Sequence, residues 1–202
     1  MRCTQRGFSL VEMLVALVVF SVGLLAIAGL QTMSKQANFE ALQRTTASHI
    51  AFGLLEDMRN NGGSITSYVT SGSLGGGSRG TLFGRAICAR RATVDTWHGA
   101  AGADCSAEER AAFDLWFWEN YADGSLELND QGAVGGVLTP TICINGPFDG
   151  SAGIYTVTVA WRGTVSLGNA AANGCGTGSG NYGDNNEFRR LVAMPTFLDP
   201  RI

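Results

Sequence analysis

Positive charge is scarce in this chain, and so are proline and histidine. Lys35 is the only lysine, and no basic block occurs, so the electrostatic footprint of a nucleic-acid binder is missing. Histidine is limited to His49 and His98, with no cluster of carboxylates near either in sequence. No convergent acid–base set is legible, and no catalytic residue is assigned. There is no Cys-x-x-Cys pair, and two scattered histidines do not complete a metal site, so neither metal nor other cofactor is expected. No proline precedes Pro140, so no helix in the first part of the chain is broken by one. Charged residues amount to only 15% while glycine numbers 28, which describes a loop-rich exterior of low charge.

What the chain has in abundance lies at its start. Met13 to Leu30 is an uncharged run, preceded by Glu12 and by the short segment Gly7-Phe8-Ser9-Leu10-Val11. A run of about eighteen apolar residues is long enough to be a membrane-spanning helix. A carboxylate at the centre of such a segment costs roughly 2.5–3.5 kcal/mol on insertion scales, and less near an end. A residue retained there has a partner. The leader, residues 1–7, carries Arg2 and Arg6 and no acid, which holds the N-terminus in the cytoplasm and places the remainder outside.

At these residues the sequence resembles the type IV prepilins and their relatives, the type II secretion pseudopilins. The likeness rests on the basic leader, Gly7 followed by Phe8, Glu12 five residues into the mature chain, and the unbroken apolar run. The resemblance implies that a prepilin peptidase cuts after Gly7 and N-methylates Phe8. It also implies that Glu12 pairs with the terminal amine of a neighbouring subunit during assembly. Two other readings exist for this N-terminal segment. A plain signal anchor leaves Glu12 incidental. An ordinary secretory signal cut at Ala26-Ile27-Ala28 conflicts with Glu12 at the start of the apolar run and with a helical pattern running through the supposed cut.

Cleavage after Gly7 removes Arg2 and Arg6, moving the formal charge from −3 to −5, and removes Cys3. Four cysteines are left on the exported side: Cys88, Cys105, Cys143 and Cys175. An even set there reads as two disulfides, and four cysteines allow three connectivities. The pairs Cys88–Cys105 and Cys143–Cys175 are favoured, because each closes a loop of modest length around irregular chain. Closing some fifteen residues is worth about 3 kcal/mol in the chain-entropy account.

Past Leu30 the helical pattern thins to one face. Met33, Ala37, Ala41, Ala47, Ile50, Leu54 and Met58 carry the stripe, with Gln31, Lys35, Gln36, Glu40, Gln43 and Arg44 between them. One helix of roughly 75–80 Å from Phe8 to Arg59 follows from 1.5 Å per residue, ended by Asn60-Asn61-Gly62-Gly63. Ser64 to Arg85 reads as a turn-rich connection. Within it, Gly76-Gly77-Ser78-Arg79-Gly80 matches a hydrolase nucleophile pattern and Gly75-x-Gly77-x-x-Gly80 a dinucleotide fingerprint. Gly178-x-Gly180-x-x-Gly183 matches the latter again. None has the flanking strand and helix these motifs need.

Ser106-Ala107-Glu108-Glu109 is a capping box opening a second helix. Ala112, Phe113, Trp116, Phe117 and Tyr121 fall at helical spacing along it, widened by Leu115 and Trp118, and are expected to form core against the stem; a binding surface is the lesser alternative. The period then changes to two. Thr141–Ile144, Gly153–Arg162 and Phe188–Met194 read as antiparallel strands, the second burying Tyr155, Val157, Val159 and Trp161 and exposing Thr156, Thr158 and Arg162. Pro195 is expected to close the last strand, and Cys175 to tether a Gly/Asn-rich excursion from Gly168 to Asn186. The fold class is therefore α+β, a long helix packed on a small antiparallel sheet, which is also what the pilin resemblance implies.

The Asp57-Met58-Arg59-Asn60-Asn61 exit from the stem and the Ala111-to-Trp118 stretch look like the minor pilins called PilV. Those proteins carry a cysteine shortly before an Asp-x-x-x-Trp helix, and Cys105, Asp114 and Trp118 fit. Major pilins commonly have a proline late in the membrane segment, and this chain has only Gly23 and Gly29 there. The resemblance thus implies a minor pilin with a leader (1–7), a transmembrane half-stem (8–30), a periplasmic half-stem (31–61) and a head (62–202). It implies as partners the prepilin peptidase, the inner membrane and other major and minor pilins. A minor pseudopilin of a type II secretion system shares every N-terminal feature, and a membrane-anchored periplasmic enzyme is a distant third reading. N-terminal analysis of the protein from membrane or fibres is expected to return N-methyl-Phe8. A start at Gly29 would establish a secretory signal, and an intact Met1 a bare anchor.

Overall fold

The computed structural model describes residues 7–69, 73–75, 88, 105–130, 132–168 and 173–200. The chain separates into two compact units, Met1–Ala41 and Leu42–Ile202. Helix α1, Leu10–Asn60, contributes to both. In the first unit its side chains are exposed apart from the half-buried Glu40, and an 18-residue window reaches a mean hydropathy of 2.7, enough to cross a membrane by length and composition.

In the second unit α1 becomes a packed element. Ala47, Ile50, Ala51, Leu54, Leu55 and Met58 are buried along one stripe. The expected stripe began earlier, at Met33. Met33, Ala37 and Ala41 are in fact exposed, and they lie in the first unit, which has its own contacts. Burial starts at Gln43, whose side chain donates to Gly136 O and accepts from Leu138 N at 2.7 Å, so its polar atoms are matched where they leave water.

The stripe is covered from three sides. A 3-10 turn, Gly62–Ser64, leads into a short helix α2, Ile65–Val69, which contributes Ile65, Tyr68 and Val69 to the core. This helix falls in the segment read from sequence as turns; five residues with no capping pattern leave no periodicity to detect. Helix α3, Ala107–Asp123, supplies Ala111, Leu115, Trp118 and Ala122. It begins at the capping box, with Ser106 accepting from Glu109 N and Glu109 accepting from Ser106 N at 2.8 Å. It ends at Gly124, whose φ of 77° suits the left-handed cap. Trp118 comes so close to α1 that a Cβ at Gly53 would sit 2.2 Å from its indole ring, so only glycine permits this approach.

The third cover is the sheet. After a minimal hairpin of β1 (Leu128–Asn129) and β2 (Gly132–Ala133) come β3 (Thr141–Asn145), β4 (Gly153–Arg162) and β5 (Arg189–Leu198). They form an antiparallel sheet in the order β3-β4-β5. Tyr155, Val157, Val159 and Trp161 of β4 join Ile142 and Ile144 of β3 in the core.

Two expectations about the strands are corrected. Pro195 does not close the last strand: β5 continues through it to Leu198, with Pro195 opposite Thr156. An edge strand tolerates a residue without N–H. Thr158 is not exposed. It and Ala160 are buried on the face opposite the core, beneath Cys175 and Tyr182 of the glycine-rich excursion.

Candidate functional site

Glu12 lies in the first turn of α1, where Glu12 N and Met13 N both bond to Ser9 O. The partial positive charge of a helix N-terminus favours a carboxylate there. Phe8 is exposed, as are the apolar residues that follow. Gly7 leaves open space around its α-carbon. Arg2, Cys3 and Arg6 lie outside the described residues. From Phe8 to Met33 the sequence holds no Lys or Arg, so this stretch offers Glu12 no cationic side chain.

In the second unit, the C-terminal end of α1 meets α3. Trp118 Nε1 donates to Asp57 Oδ2 at 2.7 Å, joining α3 to α1. Asn61 Nδ2 donates to Ala107 O at 2.7 Å and to Tyr68 Oη at 3.1 Å, and Tyr68 Oη donates to Asp114 Oδ2 at 2.5 Å. His49 packs against Trp118 and Tyr121, with ring centroids 6.0 and 5.8 Å away. Phe113, Phe117 and Tyr121 are half-buried and stack along the helix, while Leu115, Trp116 and Trp118 are buried. Of the five aromatic residues in the stripe, Trp118 belongs to the core with α1, Phe117 and Tyr121 pack half-buried against that core, and Trp116 is buried outside it. Tyr68, the centre of the network, was missed; it sits alone in a segment whose sequence reads as turns.

Burial, then the negative charge of Asp114, pushes the Tyr68 phenol well above its ordinary range. The neutral hydroxyl is therefore the form that the fold holds, as a donor to a carboxylate. Glu119, wholly buried, accepts Gly75 N at 2.8 Å and pins the chain beside β3, where Leu74 bonds Ile142 in both directions.

Cys88 is joined to Cys105 (Sγ–Sγ 2.01 Å), one residue before the capping box, and Cys143 to Cys175 (2.05 Å). The second bond ties the glycine-rich excursion to β3. Arg189, buried, reinforces it by donating to Asn173 O and Cys175 O, both at 2.7 Å. Tyr182 Oη donates to Thr139 O at 2.9 Å from the same excursion. Gly178, Gly180 and Gly183 all have positive φ within these turns, with neither strand nor helix around them. The Gly76–Gly80 matches and His98 lie outside the described residues. Among the described residues no group of three His, Cys, Asp or Glu side chains is placed to hold a metal.

The chain is thus an α+β protein of pilin-like architecture: a long helix, apolar at its N-terminal end, with a three-stranded antiparallel sheet and short helices. Residues 2–28 match the prokaryotic N-terminal methylation motif, and residues 29–116 match the family described as type IV pilin Tt1218. Together the two matches span more than half of the 202 residues, and the chain is a type IV pilin-family protein carrying the motif processed by prepilin peptidase. Comparison with curated proteins and with solved structures returned no match.

Because the folded-state pKa of Tyr68 is raised, its contribution to stability is fully present below the unfolded value, about 10, and is lost as pH rises beyond it. Tyr68→Phe removes a donor to Asp114 and is expected to cost about 1–3 kcal/mol at pH 7. The gap between wild type and variant is expected to narrow in thermal melts from pH 7 to pH 11. A constant gap across that range would show that the phenol proton is not what the network holds.

Proposed function

We propose that this protein is a minor pilin, PilV-like, that is inserted sparingly into a type IV pilus and supports its assembly. It is a substrate of prepilin peptidase and a structural component, not an enzyme. The observation carrying this reading is that Asp57, Asn61, Asp114 and Trp118, which match the PilV pattern, form two hydrogen-bonded groups, Asp57 with Trp118 and Asn61 with Tyr68 and Asp114, that join the end of α1 to α3, the helix that follows the Cys105 disulfide. In this reading residues 1–7 are the leader, cleavage follows Gly7, and Phe8 becomes the methylated N-terminus. Residues 8–30 span the inner membrane once from a cytoplasmic N-terminus, 31–61 continue the stem, and 62–202 form a periplasmic head that passes into the pilus.

The mechanism is chemical coupling between cleavage and assembly. Packing of stems in a fibre takes Glu12 out of water, where an unpaired carboxylate is costly. Between Phe8 and Met33 the only cation is the amine at Phe8, and that amine exists only after the cut. Each Glu12 thus pairs with the freed amine of an adjacent pilin, which sets the axial register.

Deletion of the gene is expected to reduce surface piliation and leave exoprotein secretion intact; the opposite result would make this a pseudopilin. Glu12→Gln is expected to insert and be cut normally yet enter sheared fibres poorly, with Glu12→Asp between the two. The readout is the ratio of this protein in fibres to that in membrane, and a Glu12→Gln ratio equal to wild type would remove Glu12 from the mechanism.

A further inference from the structure

The chain contains three Asn-Gly pairs: Asn61-Gly62, Asn145-Gly146 and Asn173-Gly174. In such a pair the glycine backbone nitrogen is well placed to attack the asparagine side-chain carbonyl, because no Cβ crowds the nitrogen and the glycine backbone turns freely. Whether the attack occurs depends on how the fold holds the side-chain amide, and the three are held differently. Asn61 is buried, with Nδ2 donating to Ala107 O at 2.7 Å and to Tyr68 Oη at 3.1 Å. Asn173 is half-buried; its Nδ2 donates to Thr158 Oγ1 at 2.9 Å and its Oδ1 accepts from Cys175 N at 2.9 Å. Both amides must break these bonds and turn before they meet the next nitrogen. Asn145 is exposed at the last position of β3, and among the described residues its side chain makes no hydrogen bond. Gly146 N likewise donates to no other described residue.

The fold does not let the glycine at 146 be exchanged. A Cβ there would sit 2.2 Å from the ring of Tyr155, and Tyr155 is wholly buried. Packing of the turn on β4 thus requires, at 146, the one residue that leaves the Asn145 amide open to attack. One restraint opposes the reaction: Asn145 pairs with Thr156, which keeps its backbone extended. That pair is the last of the β3–β4 ladder, where local opening costs least, so the reaction runs through molecules whose ladder end has frayed.

We propose that Asn145 is a site of spontaneous covalent modification, at which the side-chain amide is lost and a carboxylate takes its place. The Gly146 nitrogen gives its proton to solvent and bonds to Asn145 Cγ. The Cγ–Nδ2 bond breaks, and Nδ2 takes up a proton and leaves as ammonia. Water then opens the cyclic imide at either carbonyl, leaving aspartate or isoaspartate at position 145; water is the only co-reactant, and nothing is oxidised or reduced. Asn145 shares a sheet face with its partner Thr156, and through it with Ile154 and Phe197. Residues 145–156 and 193–198 contain one charge, Asp149, so the modification puts a second negative charge on an otherwise nearly uncharged part of the sheet. The isoaspartate product also inserts a methylene into the backbone, so the Asn145–Thr156 pair does not re-form.

The test uses the purified full chain in detergent, held at mildly alkaline pH, sampled over time and digested at acidic pH, where imide formation is slow. Mass spectrometry reads the gain from amide to acid, and chromatography separates the aspartate and isoaspartate forms of each peptide. The segment holding Asn145 is expected to convert at least about fivefold faster than those holding Asn61 and Asn173, since hydrogen bonds must first break at each of those two. A synthetic peptide spanning residues 142–148 is expected to convert faster still, because no strand pairing restrains it. Conversion at 61 or 173 as fast as at 145, or an intact Asn145 in the full chain when the peptide has converted completely, would overturn the proposal. Asn145→Gln, an exposed change with a longer side chain that closes the imide ring poorly, is expected to abolish the gain in that segment and leave the other two unchanged. A gain that persists there at the wild-type rate rejects Asn145 as the site.

Discussion

The second compact unit depends on one constraint: the apolar stripe of α1 from Ala47 to Met58 has to be taken out of water. A helix with a single such face is not stable alone and owes its order to what packs on it. Three pieces of chain meet that demand: α2, α3 and the inner face of β3-β4-β5, and their buried residues form one continuous cluster with the stripe. Every large core side chain of the sheet, from Ile142 to Trp161, faces the same cluster.

Hydrophobic contact does not by itself determine where α3 lies, because an apolar helix face slides easily over an apolar stripe. Directional bonds supply the register. The indole of Trp118 on Asp57, the Asn61 amide on the first carbonyl of α3, and the Tyr68 hydroxyl on Asp114 each accept only one placement. Buried polar groups become costly when such partners are lost, which makes the arrangement specific. Gly53 then has a clear role: it leaves room for the indole that makes the first of these bonds.

The low charge of the chain shapes the rest. With few ion pairs available, the long excursion after β4 is held by a disulfide, by the buried guanidinium of Arg189 on loop carbonyls, and by the phenol of Tyr182. These bind backbone that has no regular hydrogen-bond ladder of its own. The same economy of charge leaves one end of the outer sheet face apolar and exposed, at Ile154 and Phe197.

The sequence alone determined what is local and periodic. The uncharged run with Glu12 at its edge, the change of α1 from all-round apolar to one stripe, the capping box at Ser106 and the alternation along β4 are each visible in a few consecutive residues. The stripe already shows that a cover is needed. The tertiary structure decided which residues meet across long separations. Nothing in sequence spacing joins Tyr68 to Asp114, gives Glu119 to Gly75 N, or buries Thr158 beneath an excursion that leaves β4 and is tied to β3. Pro195 inside β5 was likewise undecidable, since its cost depends on whether the strand is central or at an edge, and strand order is settled only when distant segments pair. Local propensity and periodicity are properties of neighbours along the chain; partner choice among buried polar groups is a property of the packed whole.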